Sequence, residues 1–356
     1  MTTMMRAARF EGKGAIRLRE LPRPVPGPGE ALVRVRLTTI CGTDVHILRG
    51  EYRIPEGLIV GHEFVGVVEE LGPGVEGYER GERVIVGATT PCGQCRACLS
   101  GCAGQCGHGG SGFEAAGGWR LGNTLDGCQA DYVVVPSAQA NLARIPGGVS
   151  DEQVLFCTDI MSTGFAAVEH ARIKLGDAVV VLAQGPIGLC ATAGAKLSGA
   201  SLVIAVDSIP QRLVMAKRMG ADVTIDFTQQ DVLAEVARLT DGGADVAIEA
   251  LGRQETFESA LRAVRLGGIV SSVGVYSGHL SIPVDAIAAG LGEKTVIMTL
   301  CPGGKERMRR LMSIAIAGRA PFEELITHSF PLDRIEEAYE LFSHQREGVM
   351  KIAIRP

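Results

Sequence analysis

Four cysteines, Cys92, Cys95, Cys98 and Cys106, stand in the stretch PCGQCRACLSGCAGQC with two, two and seven residues between them. Spacings of two let successive sulfurs converge on one tetrahedral ion, and a loop returns the fourth. Four thiolates fill every position of a zinc ion, so the pattern predicts a structural zinc. Cys102, the fifth cysteine of the stretch, is either a substitute for Cys106 or a bystander. Disulfides are the competing use. The opening MTTMMRAARFEGKG has no apolar run of signal-peptide length, and no stretch approaches the length of a membrane span. The expectation is a cytoplasmic chain without a membrane partner, whose thiols stay reduced.

A second set of donors is scattered. Cys41 lies in CGTDVH and His62 in GHEFVG, twenty-one residues apart, a weak pairing by itself. Asp159 in FCTDIMSTGF offers a third. Cys, His and Asp make three protein ligands and leave a fourth position open. That is where a zinc ion would act as a Lewis acid in hydride chemistry.

A third feature joins AVVVL to AQGPIGL. This is G-x-G-x-x-G with Ala183 in the first glycine position, then Gly185 and Gly188, followed by Asp207 nineteen residues after Gly188. Strand before, helix after and an acid at that distance form a dinucleotide-binding context. Gly185 lets backbone approach a pyrophosphate, Gly188 lets helix pack on strand, and the helix N-terminus offers N–H groups to phosphate. Ala183 is expected in a conformation that a β-carbon tolerates. Asp207 can accept both ribose hydroxyls and repel a 2′-phosphate, which reads as NAD; the competing reading is a plain cap for the next helix. Arg212 lies in a predicted helix and is expected to face solvent. Gly185, Pro186, Ile187, Gly188, Asp207 and Arg212 form the candidate cofactor set.

The elements that must hold these groups fall into two kinds. Residues 1–161 read as short strands (ALVRVRLTTI, VGVVEEL, ERVIVG, ADYVVVP) broken by Gly and Pro, with ELPRPVPGPGE as a loop and the cysteine lobe at 91–107. Residues 162–302 alternate strand and helix: DAVVVL, SLVIAVD, PQRLVMAKRMG, ADVTIDF, DVLAEVARLT, ADVAIEAL, TFESALRAVRLG, GIVSSVGVY and KTVIMTL. Alternation predicts a parallel sheet covered on both faces. Residues 303–356 return to a mixed pattern and end in VMKIAIRP, a strand expected to close back on the first domain. The chain has 356 residues, too many for one core. Its formal net charge of −5 argues against a nucleic-acid partner.

CGTDVH, GHEFVG, the cysteine lobe and AQGPIGL, in that order, resemble the zinc-dependent medium-chain alcohol dehydrogenases over essentially the whole chain. GGWRLGNTLDGCQADYVVVPSAQANLARIP, DIMSTGF and TLCPGG are most similar to the bacterial secondary-alcohol members. The resemblance implies an α/β protein, with a GroES-like β-rich catalytic domain interrupted by a Rossmann doubly wound parallel sheet. It implies Cys41, His62 and Asp159 on the catalytic zinc, and Glu63 beside it as a neighbour or transient ligand. It implies Thr43 and His46 as the route for the alcohol's proton, and Trp119, Tyr276, Leu300 and Cys301 as pocket walls. The best-known secondary-alcohol members lack a cysteine lobe and use NADP, with Gly-Ser-Arg where this chain reads Asp207, Ser208, Ile209. The resulting expectation is two zinc ions per chain, NAD, a homotetramer, and reversible oxidation of an alcohol, secondary before primary, to a ketone or aldehyde. A polyol, threonine or aldehyde dehydrogenase of the same family is the alternative.

Overall fold

The computed structural model describes residues 3–110 and 112–356. Contacts divide the chain into two units, one of Met1–Ser162, Cys301–Gly318 and Phe322–Pro356, the other of Thr163–Leu300 and Arg319–Pro321.

In the first unit, β1 (Met4–Phe10) and β2 (Ile16–Pro22) form an antiparallel hairpin. β3 (Ala31–Thr39) buries Val33, Val35 and Leu37 and exposes Arg34 and Arg36, the alternation of a strand with one face on a core. It pairs antiparallel with β4 (Phe64–Leu71), which pairs in turn with β5 (Arg83–Val86). β6 (Tyr132–Val135) joins β3, and the two-residue β7 (Ala143–Arg144) joins β5. The loop expected over ELPRPVPGPGE begins only after Pro22, because Glu20–Pro22 still belong to β2.

The second unit is a six-stranded, all-parallel sheet of β8 (Ala178–Leu182), β9 (Leu202–Asp207), β10 (Val223–Asp226), β11 (Ala244–Glu249), β12 (Val264–Ser272) and β13 (Thr295–Met298). The spatial order is β10-β9-β8-β11-β12-β13. Chain order thus reverses between β8 and β11, the switch point of a Rossmann fold, where a ligand binds beyond the strand C-termini. β8 and β9 are nearly continuous apolar runs because helices cover a parallel sheet on both faces. The helix expected over TFESALRAVRLG stops at Ala263, and Val264 starts β12. A β-branched residue followed by Gly267 and Gly268 favours leaving the helix there.

The chain then returns to the first unit. β14 (Ile326–Pro331) runs parallel to β15 (Lys351–Arg355), and β15 pairs antiparallel with β3 through Ala353 and Thr39. The C-terminal strand therefore lands beside the strand that leads into Cys41. The adjoining core holds Ile40, Ile47, Val60, Trp119, Tyr339 and Ile352. No helix among the described residues is long and apolar enough to cross a membrane.

Candidate active site and metal centres

Cys92, Cys95, Cys98 and Cys106 converge as the spacing requires. The sulfurs of Cys95 lie 3.5 Å from Cys98 and 3.8 Å from Cys106, and Cys92 lies 4.0 Å from Cys98. A tetrahedron with sulfurs about 2.3 Å from zinc has edges of about 3.8 Å. Backbone N–H groups of Cys95, Cys92 and His108 point at the sulfurs of Cys92 and Cys106, a placement that favours thiolates. The thiols are driven apart: the backbone N–H of Cys98 helps pull Cys95 down to about 6, while burial first, then its sulfur neighbours, push Cys98 up to about 12. Four touching sulfurs share negative charge poorly without a cation, so the set fits zinc. Cys102 is exposed and outside the cluster.

The second set is assembled from three places. β3 delivers Cys41 at the N-cap of the helix Gly42–Leu48. A turn at Gly61, with φ +95, sets His62 and Glu63 just ahead of β4. A β-carbon on Gly61 would sit 2.6 Å from Gln129 Cγ, so both conformation and space demand glycine. Asp159 follows the short turn Phe156–Thr158 and precedes the helix Ile160–His170. All four residues are buried, and their donor atoms lie within 4.8 Å of one another. Asp159 Oδ2 is 3.6 Å from both Cys41 Sγ and His62 Nε2.

The electrostatics are those of crowded donors. Burial, with the Asp159 charge adding to it, raises the Cys41 thiol. Burial raises the Asp44 and Glu63 carboxyls. Burial opposes charging His62, but Asp159 and Cys41 overcome it and hold its pKa well above the ordinary range. Glu63 Oε2 and His62 Nδ1 are enclosed without a hydrogen-bond partner. A thiol, an imidazole and carboxylates gathered in a dry place are the donor chemistry of zinc, and these residues fit that ion.

Around this set lies a frame that sequence reading missed. Asp44 accepts the Cys41 N–H and the Gln129 side-chain amide, each at 3.0 Å, and its other oxygen stands 3.7 Å from His62 Nδ1. That last separation is an ion-pair distance, too long for a hydrogen bond. Gln129 accepts the Tyr339 hydroxyl at 2.8 Å. Lys351 Nζ lies 2.5 Å from Glu63 Oε1 and 3.1 Å from the Ile40 carbonyl. Asp44 had a signal in CGTDVH, since a metal-binding histidine needs a partner for its second nitrogen. Lys351 had none, because nothing in VMKIAIRP marks its lysine as buried.

The remaining candidates separate. Thr43 Oγ1 is 3.6 Å from Cys41 Sγ, at the donor set. His46, on the same helix, is exposed and bound to Glu51 at 2.5 Å. The Trp119 ring stands edge-on to His62, centroids 5.9 Å apart, and its indole N–H donates to the Leu121 carbonyl. The Cys301 thiol lies 3.8 Å from the Asp159 carbonyl. These belong to the first unit. Leu300 and Tyr276 belong to the second. The Tyr276 hydroxyl is tied to Glu249 at 2.6 Å and Ser272 at 2.8 Å, and its ring packs on Phe257.

In the second unit Gly185 caps the helix Pro186–Leu197, and a β-carbon on it would meet nothing within 4 Å, which leaves room for a ligand. A β-carbon on Gly188 would lie 1.9 Å from the Ala183 carbonyl, so the helix packs on the loop as the motif requires. Ala183 departs from expectation: its φ of +71 is left-handed, a conformation that costs a β-carbon about 1–2 kcal/mol. Ala183 N–H is anchored to the Val206 carbonyl, so the β8–β9 pairing holds the turn. Asp207 Oδ2 accepts the Gln184 N–H at 2.6 Å, and Oδ1 accepts those of Ser208 and Ile209 at 2.8 and 2.9 Å. Asp207 thus caps the next turn as well as the glycine loop. Arg212 does not face solvent as expected. Its side chain is only 17% exposed and lies 3.9 Å from Asp207, which ends β9, with Arg212 in the first turn of the helix Pro210–Arg218.

Residues 27–147 match the alcohol dehydrogenase GroES-like domain, and residues 186–317 match the zinc-binding dehydrogenase domain. The chain is 55% identical to an alcohol dehydrogenase of Cupriavidus necator, with both chains covered completely. It is 35% identical to an NADP-dependent isopropanol dehydrogenase of Thermoanaerobacter brockii, over 93% of this chain and 94% of that one. Among solved structures it superposes on an alcohol dehydrogenase from Thermus sp. ATN1 with a TM-score of 0.87 at 33% identity, covering 98% of this chain and 99% of that one.

Proposed function

This chain belongs to the zinc-dependent medium-chain alcohol dehydrogenases, and from that premise we propose that it oxidises small secondary alcohols to ketones, reversibly, with NAD. The observation that carries the reading is the buried convergence of Cys41, His62 and Asp159 with the Trp119 ring against His62.

In this reading Cys41, His62 and Asp159 hold one zinc ion and the four lobe cysteines hold another, two per chain. Zinc at the first position supplies a Lewis acid that makes an alcohol more acidic. The protein does the rest. Thr43 Oγ1, beside Cys41, would accept the proton of the substrate hydroxyl and hand on its own hydroxyl proton through the cofactor ribose to His46, which stands exposed with its Glu51 partner and releases it to water. Trp119 and Cys301 shape an apolar pocket that excludes water and holds both carbon arms of a secondary alcohol. Such walls leave extra hydroxyls of a polyol unpaired, at about 1–3 kcal/mol each. The helix start at Gly185–Gly188 holds the pyrophosphate.

Asp207 supports NAD, since its carboxylate is fixed by three backbone N–H groups where a 2′-phosphate would meet its charge. Arg212 beside it favours the second reading, NADP, as in the name of the Thermoanaerobacter relative. Rates with NAD and NADP across secondary alcohols, primary alcohols and polyols, followed by cofactor absorbance, decide both points. Equal kcat/KM for NADP sinks the NAD reading, and a preference for polyols sinks the pocket. β13, the last strand of the six-stranded sheet, leaves Val296 and Met298 exposed, which supports pairing with a second copy, one contact of the tetramer that the resemblance implies. Sedimentation would test that state. A reducing, cytoplasmic location goes with this reading, since thiols that bind metal must stay reduced.

A further inference from the structure

Glu63 is the fourth donor of the buried cluster, and whether it binds decides what the cluster can do. Three protein ligands leave zinc a place for substrate, and four close it. The two Glu63 oxygens differ. Oε1 lies 2.5 Å from Lys351 Nζ. Oε2 is sealed from solvent without a hydrogen-bond partner, in a carboxylate whose donor oxygen lies within 4.8 Å of those of Cys41, His62 and Asp159. Lys351 is 1% exposed, and its ammonium is braced from another side by the carbonyl of Ile40, the residue before Cys41. A lysine is almost never fully buried unless it is paired. This one crosses from the last strand of the chain to reach the neighbour of His62.

The charges account for the placement. A Cys41 thiolate and the Asp159 and Glu63 carboxylates carry three negative charges, and a zinc ion brings two positive ones. The Lys351 ammonium offsets the excess charge among these donors, while the buried Asp44 carboxylate, 3.7 Å from His62 Nδ1, adds one more negative charge outside the donor set. Without the ammonium, Glu63 would be a buried carboxylate whose only cation within reach is the metal.

We propose that Lys351 is a positioning residue that holds Glu63 away from the metal and so keeps the fourth coordination position for substrate. It acts by occupying Oε1 with a charge-assisted hydrogen bond and by supplying the counter-charge that Glu63 would otherwise take from the metal. The proposal rests on Cys41, His62 and Asp159 being metal ligands.

The test replaces zinc by cobalt(II) in the whole enzyme and titrates it with imidazole as an external fourth ligand, read from the cobalt visible spectrum. Lobe cobalt, with four sulfurs, has no position for imidazole and does not respond. Wild-type enzyme should bind imidazole at the buried site. K351M should keep its cobalt but bind imidazole about tenfold or more weakly, in line with the effect of removing a neighbour of a metal ligand. K351M/E63Q, with no carboxylate left to enter, should regain the wild-type response, and K351R should stay close to it. A purely structural ion pair would lower the melting temperature of K351M and leave imidazole affinity unchanged at full cobalt content, which overturns the proposal. So does a double variant that fails to recover. Should K351M not fold, K351Q frees the same carboxylate and is held to the same two outcomes. A wild-type enzyme that takes cobalt only in the lobe and ignores imidazole overturns the ligand reading itself, a result distinct from the others.

Discussion

The two cysteine-bearing sites of the first unit are built on opposite plans. The lobe gathers its four sulfurs from Cys92 to Cys106, one loop, and backbone N–H groups of that loop and of His108 just after it support the sulfurs. The buried site gathers its donors from residues 41, 62 and 159, and side chains frame them: Asp44 from the same turn as Cys41, and Gln129, Tyr339 and Lys351 from distant segments. A site folded from one loop can be complete and closed, which suits holding structure. A site assembled from the core inherits the core's rigidity and can leave one position open, which suits chemistry.

The sharpest way to break this contrast is to remove one sulfur from each site. C41A should lower turnover by about a thousandfold or more, because a Lewis acid contributes several kcal/mol to the chemical step. Metal content should fall from two ions to one, with the melting temperature lowered by only a few degrees. C95S should do the reverse. Structural zinc contributes about 10–16 kcal/mol in isolated peptides, and an embedded lobe retains part of that. A melting temperature about 5 °C lower or more is expected, with turnover per folded enzyme within about threefold of wild type. Metal analysis, calorimetry and an NADH assay on both variants check it. Equal loss of activity from both would mean that the lobe serves the reaction directly.

A smaller effect comes from the turns that carry the converging donors. G61A forces a β-carbon into a φ of +95 and within 2.6 Å of Gln129 Cγ, next to His62. Strain of about 1–3 kcal/mol and a displaced imidazole should follow. A shift of about 1 Å at a reacting group costs roughly a hundredfold, so kcat/KM should fall by about ten- to a hundredfold. G93A, in the lobe beside Cys92, meets only the Ala140 β-carbon at 3.2 Å with φ +77. It should cost about 1–2 kcal/mol of stability and leave kcat unchanged. If G93A were the variant that lost activity, the lobe would not be the separate device described here.

The same difference decides what could be read from the chain. The lobe was legible because its chemistry sits at fixed short spacings, and the glycine loop because strand, turn and helix follow one another in sequence. The alternating strands and helices of the second unit gave its sheet for the same reason. The buried site was legible only as far as resemblance reached. Cys41 and His62 twenty-one residues apart carry little signal, and Lys351 lies 288 residues from Glu63. Nothing local distinguishes a lysine that fills a core from one on a surface strand. Arg212 shows the limit in the other direction: a predicted helix put it in solvent, while its charge stays close to the Asp207 carboxylate and leaves it largely covered. Ala183 went astray because ladder hydrogen bonds can hold an unfavourable φ that local preference disfavours.

The smallest expected effect tests whether the lobe is as self-contained as its geometry implies. Cys102 lies between Cys98 and Cys106 in sequence yet is exposed, outside the four converging sulfurs. Its backbone takes part in the lobe, donating to Ala97 and accepting from Gln105, both at 2.8 Å, and serine keeps those bonds. C102S should therefore shift stability by no more than about 0.5 kcal/mol, the usual range for a surface change. Zinc content and turnover should match wild type. The change should be visible in one assay alone. A soluble thiol reagent added to native enzyme should find Cys102 first, since metal in the lobe would engage the other sulfurs there and the remaining cysteines are buried. C102S should lose that fast phase and no other. Loss of one zinc from C102S, with C106S left intact, would mean that the chain closes its metal through the exposed sulfur, and that the lobe rearranges on binding instead of standing preformed.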